Sequence, residues 1–217
     1  MGARTITVKQ TILGANNEKA ELNRALLNSH HILMLNVMSS PGSGKTSVIL
    51  QTINRLRVKY RIAVIEGDIA SSIDAEKIMQ QNIPAIQINT GGGCHLDAQM
   101  IRKALDSLDL SQIDLIFLEN IGNLVCTADF DLGAHKNAVI LSVPEGDDKP
   151  RKYPIVFVDA DVVLVNKIDV LPYFDFKLET FPEVIRGLNP SASVFPVSAK
   201  TGEGMERWFS WIEETLK

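Results

Sequence analysis

The chain has 217 residues, 45% hydrophobic and 22% charged, with a formal net charge of −4 and two cysteines. That length supports one α/β domain with a full core rather than two, and the mildly acidic balance gives no electrostatic footprint for nucleic acid. The absence of a run of roughly eighteen apolar residues or a charged-then-apolar leader predicts no membrane span or secretion signal, and two cysteines cannot staple a secreted scaffold, so a cytoplasmic location is expected.

Residues 1–15 read as an irregular or strand-like lead-in, and 17–29 as a short amphipathic helix with Leu22, Ala25, Leu26 and Leu27 near one face. Residues 1–31 are thus expected to form an N-terminal extension and 32–217 the main domain. The apolar run Ile32–Met38 predicts a buried strand, followed by Ser39-Ser40-Pro41-Gly42-Ser43-Gly44-Lys45-Thr46 and a helix through about Val58. Strand, glycine loop, helix is the context of a phosphate-binding loop. Glycines let successive N–H groups point at one anion, and the helix adds the positive end of its dipole. Gly42, Ser43, Gly44, Lys45, Thr46 and Ser47 are the candidate phosphate-binding residues, with Lys45 reaching the β- and γ-phosphates and the Thr46 hydroxyl on Mg²⁺. The pattern's first glycine is Ser39 here.

Further strands are predicted at 61–66, 85–89, 114–118, 138–143, 161–165 and 193–197, with helices at 73–81, 95–107, 175–188 and 204–216. Near-continuous apolar strands alternating with helices predict a mostly parallel sheet with helices on both faces, a phosphate-loop NTPase. Ligands gather at the carboxyl ends of such strands. On that rim lie Glu66-Gly67-Asp68, Asp74 and Glu119-Asn120-Ile121-Gly122. Mg²⁺ takes few carboxylates and keeps waters and phosphate oxygens, so Thr46 with Asp68, Asp74 and Glu119 supplies its candidate ligands. Asp68 is the first choice to orient the attacking water, and a Gly122 N–H would sense the γ-phosphate. Asp74 reads equally as a helix N-cap.

Thr90-Gly91-Gly92-Gly93-Cys94-His95 closes the third strand, and Cys126 follows the Glu119 segment. Thiolates with imidazole suit Ni²⁺ or Zn²⁺. From spacing alone, Cys94, His95 and Cys126 are either packing residues or three ligands lacking a fourth, which water, another residue or a second subunit would supply. His30, His31 and His135 read as surface or structural.

The strand at 161–165 ends in Asn166-Lys167-Ile168-Asp169, and the last strand in Ser198-Ala199-Lys200. The Asp169 carboxylate, an acceptor only, can take both the ring N–H and the amino group of guanine, a donor pair that adenine lacks. Asn166 would contact the other side of the base, the Lys167 stem its face, and the Ser198 and Ala199 backbone the guanine oxygen. GTP is the expected ligand.

The phosphate loop, Glu66-Gly67-Asp68, Gly93-Cys94-His95-Leu96-Asp97-Ala98, Glu119-Asn120-Ile121-Gly122-Asn123-Leu124-Val125-Cys126, Pro144-Glu145-Gly146-Asp147-Asp148-Lys149 and Asn166-Lys167-Ile168-Asp169 together resemble the hydrogenase nickel-incorporation GTPases (the HypB family) from about Ile32 onward. The resemblance implies a GTPase of the SIMIBI type, a metallochaperone that delivers nickel to hydrogenase. It also implies a homodimer formed on GTP binding, Cys94, His95 and Cys126 as a metal site near the dimer interface, and hydrogenase maturation factors and the hydrogenase large subunit as partners. By the same resemblance Lys152 would reach the partner's nucleotide; by sequence alone it reads equally as a surface lysine. Family members with an N-terminal cysteine motif or a histidine-rich stretch store nickel there; this chain has neither before Cys94. Some relatives also carry a histidine where Gln99 stands. The Cys-Pro-His motif of the related urease maturation GTPases does not occur, which favours a hydrogenase client over a urease one. A regulatory GTPase with inert cysteines and a kinase-like ATP enzyme are the alternatives, the latter opposed by Asp169.

Overall fold

A computed structural model describes residues 8–68 and 81–217. The predicted helix at 73–81, save its last residue, and the candidate ligand Asp74 lie outside the described residues.

Seven strands form one sheet in the order β3-β2-β4-β1-β5-β6-β7. They are β1 (Leu33–Ser39), β2 (Ile62–Asp68), β3 (Ala85–Asn89), β4 (Leu115–Gly122), β5 (Lys136–Ser142), β6 (Val162–Asn166) and β7 (Ser193–Pro196). Every pairing is parallel. The expected α/β architecture is therefore present, with the phosphate-loop strand β1 at its centre between β4 and β5.

Alternation along the strands feeds both faces. Leu33, Leu35 and Val37 of β1 pack with Val48, Ile49 and Ile53 of α2 (Lys45–Leu56) and with Trp208 and Ile212 of the C-terminal helix Met205–Thr215. Trp208 Nε1 donates to Thr52 Oγ1 at 2.9 Å, which satisfies the one polar atom this large ring buries. On the other face Met34, Ile65 and Leu118 pack with Leu27 of α1 (Val8–Ser29) and Ile101 of the helix Ala98–Asp106. Further along that face Val139 and Val163 pack with Phe157 and Phe181.

Several element boundaries differ from expectation: β4 runs on to Gly122 rather than ending at 118, β5 starts at Lys136, and three helices start elsewhere. The helix α1 starts at Val8, so the stretch from Val8 to Ala15 is helical rather than irregular. Its buried stripe is Asn16, Ala20, Asn23 and Leu27, while Leu22 is 62% exposed. Two buried asparagines break the apolar period that sequence reading follows. They are in the stripe because Asn16 donates to Asp131 O at 2.7 Å and accepts from Ala98 N at 2.9 Å, and Asn23 donates to Ala98 O at 2.8 Å. The helix expected at 95–107 begins at Ala98, because the Asp97 side chain caps Met100 N at 2.8 Å. The one expected at 175–188 begins at Phe181, with Pro182 in its first turn.

Candidate functional site

The phosphate loop is built by two left-handed glycines, Gly42 at φ 76° and Gly44 at φ 95°. Gly44 precedes the first residue of α2, so the N–H groups of that helix start face the cleft. Lys45 Nζ donates to Ser39 Oγ at 3.0 Å. The serine that replaces the pattern's first glycine thus holds the lysine across the loop. Thr46 Oγ1 donates to Glu119 Oε1 at 2.7 Å, which joins the loop to the end of β4. A cleft of about 330 Å³ is lined here by Gly42, Gly44, Lys45, Thr46, Ser47, Asp68, Glu119 and Gly122, with Glu66, which was absent from the predicted set. Glu66 is 3% exposed and stands in register with Glu119 across β2 and β4. The sequence signal for it was available: a charged residue at the carboxyl end of an otherwise apolar strand. Gly122 packs against Pro41, where an added Cβ would meet Pro41 Cγ at 3.1 Å.

A second cleft of about 430 Å³ shares Gly44 and Ser47 with the first and is lined by Asn166, Lys167, Asp169, Ala199 and Lys200. The two clefts adjoin at these residues. Asn166, 2% exposed, ties its walls together. Its Nδ2 donates to Ser43 O at 2.8 Å and its Oδ1 accepts from Ala199 N at 3.1 Å. Lys167 is left-handed at φ 63°, and its Nζ donates to Gly42 O at 2.7 Å. Ser198 Oγ donates to Asp169 Oδ1 at 2.7 Å, orienting the carboxylate. The bridging role of Asn166 toward the loop is one that no sequence spacing reveals.

Cys94 and Cys126, distant in sequence, meet at the same rim. The Cys94 thiol is pushed above its ordinary value by a hydrogen bond with Cys126, and Cys94 Sγ lies 3.7 Å from His95 Nδ1. Asn123 brings the two segments together: its Oδ1 accepts from Val125 N at 2.7 Å and Cys126 N at 3.2 Å, and its Nδ2 donates to Cys94 O at 3.4 Å. The His95 ring stacks on Phe130 with centroids 3.9 Å apart. Among the described residues no three His, Cys, Asp or Glu side chains converge into a ready metal cage. Lys152 is exposed at the end of the short helix Lys149–Lys152, paired with Asp148 at 2.5 Å; that contact raises the lysine and lowers the carboxyl from their usual ranges. Among the described residues no helix is long and apolar enough to cross a membrane.

Residues 33–196 match the family described as CobW/HypB/UreG, nucleotide-binding domain. The chain is 49% identical over 211 residues to the hydrogenase maturation factor HypB of Azotobacter vinelandii, covering 97% of this chain and 70% of that protein. The crystal structure of HypB from Helicobacter pylori in complex with nickel superposes with a TM-score of 0.88 at 38% identity, covering 93% and 95% of the two chains. HypB from Archaeoglobus fulgidus superposes equally, with a TM-score of 0.88 at 37% identity, covering 94% and 100%.

Proposed function

From the premise that the chain belongs to the CobW/HypB/UreG family of nucleotide-binding domains, we propose that it is a GTP-hydrolysing metallochaperone that carries nickel for hydrogenase maturation in the cytosol. One observation carries this reading. Toward the carboxyl end of β4, Glu119 accepts from Thr46 of the phosphate loop, and four residues later Asn123 bonds to the backbone of both Cys94 and Cys126. Nucleotide and metal thus act on the two ends of one short segment.

In this reading Asp169, oriented by Ser198, selects guanine, and Asn166 and Lys167 fix the base pocket to the phosphate loop. The donors present fit a Mg²⁺ ion: the Thr46 hydroxyl and Glu119 carboxylate are hard oxygens already within 2.7 Å of each other, with Asp68 on the same cleft. Thr46, Glu119 and Asp68 would hold such an ion, which would neutralise phosphate charge. Lys45 leaves Ser39 Oγ to stabilise negative charge on the transferred phosphoryl group, and Asp68 orients the attacking water. Nickel is the cargo. Cys94 and Cys126 bind it as thiolates, His95 joins by leaving Phe130, and the remaining position comes from a second copy of the chain. A dimer formed on GTP binding places each Cys pair at the contact, where Cys94 and Val125 are exposed. Lys152, freed from Asp148, reaches the partner's nucleotide. Maturation factors and the hydrogenase large subunit receive the metal.

The test is a pair of titrations. Wild-type protein binds GTP in preference to ATP and binds Ni²⁺ through Cys94, so Cys94→Ala keeps GTP binding and loses Ni²⁺. Equal affinity for ATP overturns the guanine assignment, and undiminished Ni²⁺ binding by Cys94→Ala overturns the metal site.

A further inference from the structure

A β-bulge interrupts β4 where the nucleotide and metal segments meet. Val37 of β1 pairs with Glu119, but Ser39 pairs with Gly122, so β4 carries one extra residue across that step. A bulge leaves a backbone group without its ladder partner, and a buried one must find another. Here the side chain of Asn120 supplies it, accepting from Ile121 N at 2.9 Å.

That side chain is itself held from behind. Asn120 Nδ2 donates to Asn36 Oδ1 at 3.0 Å, Asn36 Nδ2 donates to Asn137 Oδ1 at 3.0 Å, and Asn137 Nδ2 donates to Asp159 O at 3.2 Å. The three asparagines stand on the adjacent strands β4, β1 and β5. Asn120 is 1% exposed and Asn36 is 4% exposed. The ladder runs from the phosphate cleft, which Asn120 lines, to a polar cavity of about 460 Å³ lined by Asn36, Asn137 and Arg24. Asn36 interrupts an otherwise apolar run, with Leu35 and Val37 both buried beside it. An apolar residue of the same size would spare the desolvation of two amides, so stability alone is a poor reason for an amide at this place.

We infer that Asn120, locked by Asn36 and Asn137, is a positioning residue that sets both arms of the bulge, Glu119 toward Thr46 and Asn123 toward Cys94 and Cys126. On one side, the Thr46–Glu119 contact begins immediately before Asn120. On the other, Asn123 follows the bulge directly and gathers three groups of the cysteine segments with its own amide. Rotation of the Asn120 amide would move both. The use of this device in nickel delivery rests on the function proposed above; the positioning itself needs neither nucleotide nor metal.

The test uses the full chain, free of nucleotide and metal. The rate at which Cys94 and Cys126 react with a chromogenic aryl disulfide is measured together with thermal melting. Asn36→Leu removes both ladder bonds, and Asn120→Asp keeps the acceptor for Ile121 but removes the donor to Asn36. Thr52→Val is the control, since it breaks a buried bond to Trp208 on the opposite face of the sheet. Both ladder variants should change the thiol rate by roughly tenfold, the shift expected from a lost buried hydrogen bond, and in a separate assay with nucleotide Asn36→Leu, which lies outside the phosphate cleft, should lower the turnover of GTP while leaving GDP affinity near wild type. Thr52→Val should melt earlier with an unchanged thiol rate. If Asn36→Leu does not fold, Asn120→Asp decides. Ladder variants that melt earlier but react at the wild-type thiol rate overturn the inference. Wild-type protein that neither hydrolyses GTP nor binds Ni²⁺ would sink the proposed function instead, and the thiol result would still stand.

Discussion

Replacing Gly44 by alanine strikes the junction between the phosphate loop and the base pocket. Gly44 sits at φ 95°, and a Cβ there would lie 2.5 Å from Asn166 Nδ2. Asn166 cannot swing aside cheaply, because it is 2% exposed and pinned by Ser43 O and Ala199 N. Left-handed backbone costs an L-residue about 1–2 kcal/mol, and breaking the Asn166–Ser43 bond in a buried setting adds about 1–3 kcal/mol. The sum, about 2–5 kcal/mol, weakens nucleotide binding by roughly thirtyfold to a few thousandfold if it falls on the bound loop. Gly42 is the internal control: it is also left-handed, at φ 76°, but an added Cβ meets nothing within 4 Å. Gly42→Ala should therefore pay strain alone, about 1–2 kcal/mol. Calorimetric titration of GDP into both variants, with melting curves, compares them. Equal losses in the two variants, or a Gly44→Ala affinity within about twofold of wild type, would refute the coupling of loop to base pocket through Asn166.

Asp169→Asn should cost GTP binding roughly 1.5–3 kcal/mol, the worth of a hydrogen bond to a charged acceptor, and should favour xanthosine triphosphate, whose carbonyl accepts from the new amide; competition binding reads both. Asp68→Ala should slow GTP turnover by about a hundredfold, within the range for positioned acid–base groups, more than it weakens GTP binding, and a wild-type rate would place the water-orienting group elsewhere. His135 accepts from Met34 N through Nδ1 at 3.0 Å, and burial, with Arg24 beside it, lowers it from 6.5. The unfolded chain then takes up the proton first, so stability should fall as pH drops below 6.5 and level off under the folded-state value. The loss in melting temperature on acidification should shrink in His135→Gln, and an unchanged loss would assign the acid sensitivity to other groups.

The parallel sheet was legible because its strands are almost wholly apolar, which only a sheet covered on both faces tolerates. The phosphate and base motifs were legible because each is a short contiguous string set at a strand end. What escaped depends on contacts between distant segments. Asn16 and Asn23 of α1 look like surface residues until Ala98 and Asp131 arrive to bond them. Asn166 was expected as a base contact, but it is also a strut in the fold, since its partners Ser43 and Ala199 come from other loops. Asn36 reads as one blemish in an apolar strand; only the order β4-β1-β5 turns it into the middle rung of a ladder. Cys94 and Cys126 were placed on one rim by strand order, but the residue that joins them, Asn123, had no signal of its own.

Nickel affinity of the same protein with a non-hydrolysable GTP analogue and with GDP, followed by sedimentation of each sample, tests the central claim most directly. The account predicts a dimer with the GTP analogue that holds Ni²⁺ about tenfold or more tighter than the GDP form, a coupling within the usual range for linked sites. A monomer in both states with equal Ni²⁺ affinity would contradict it.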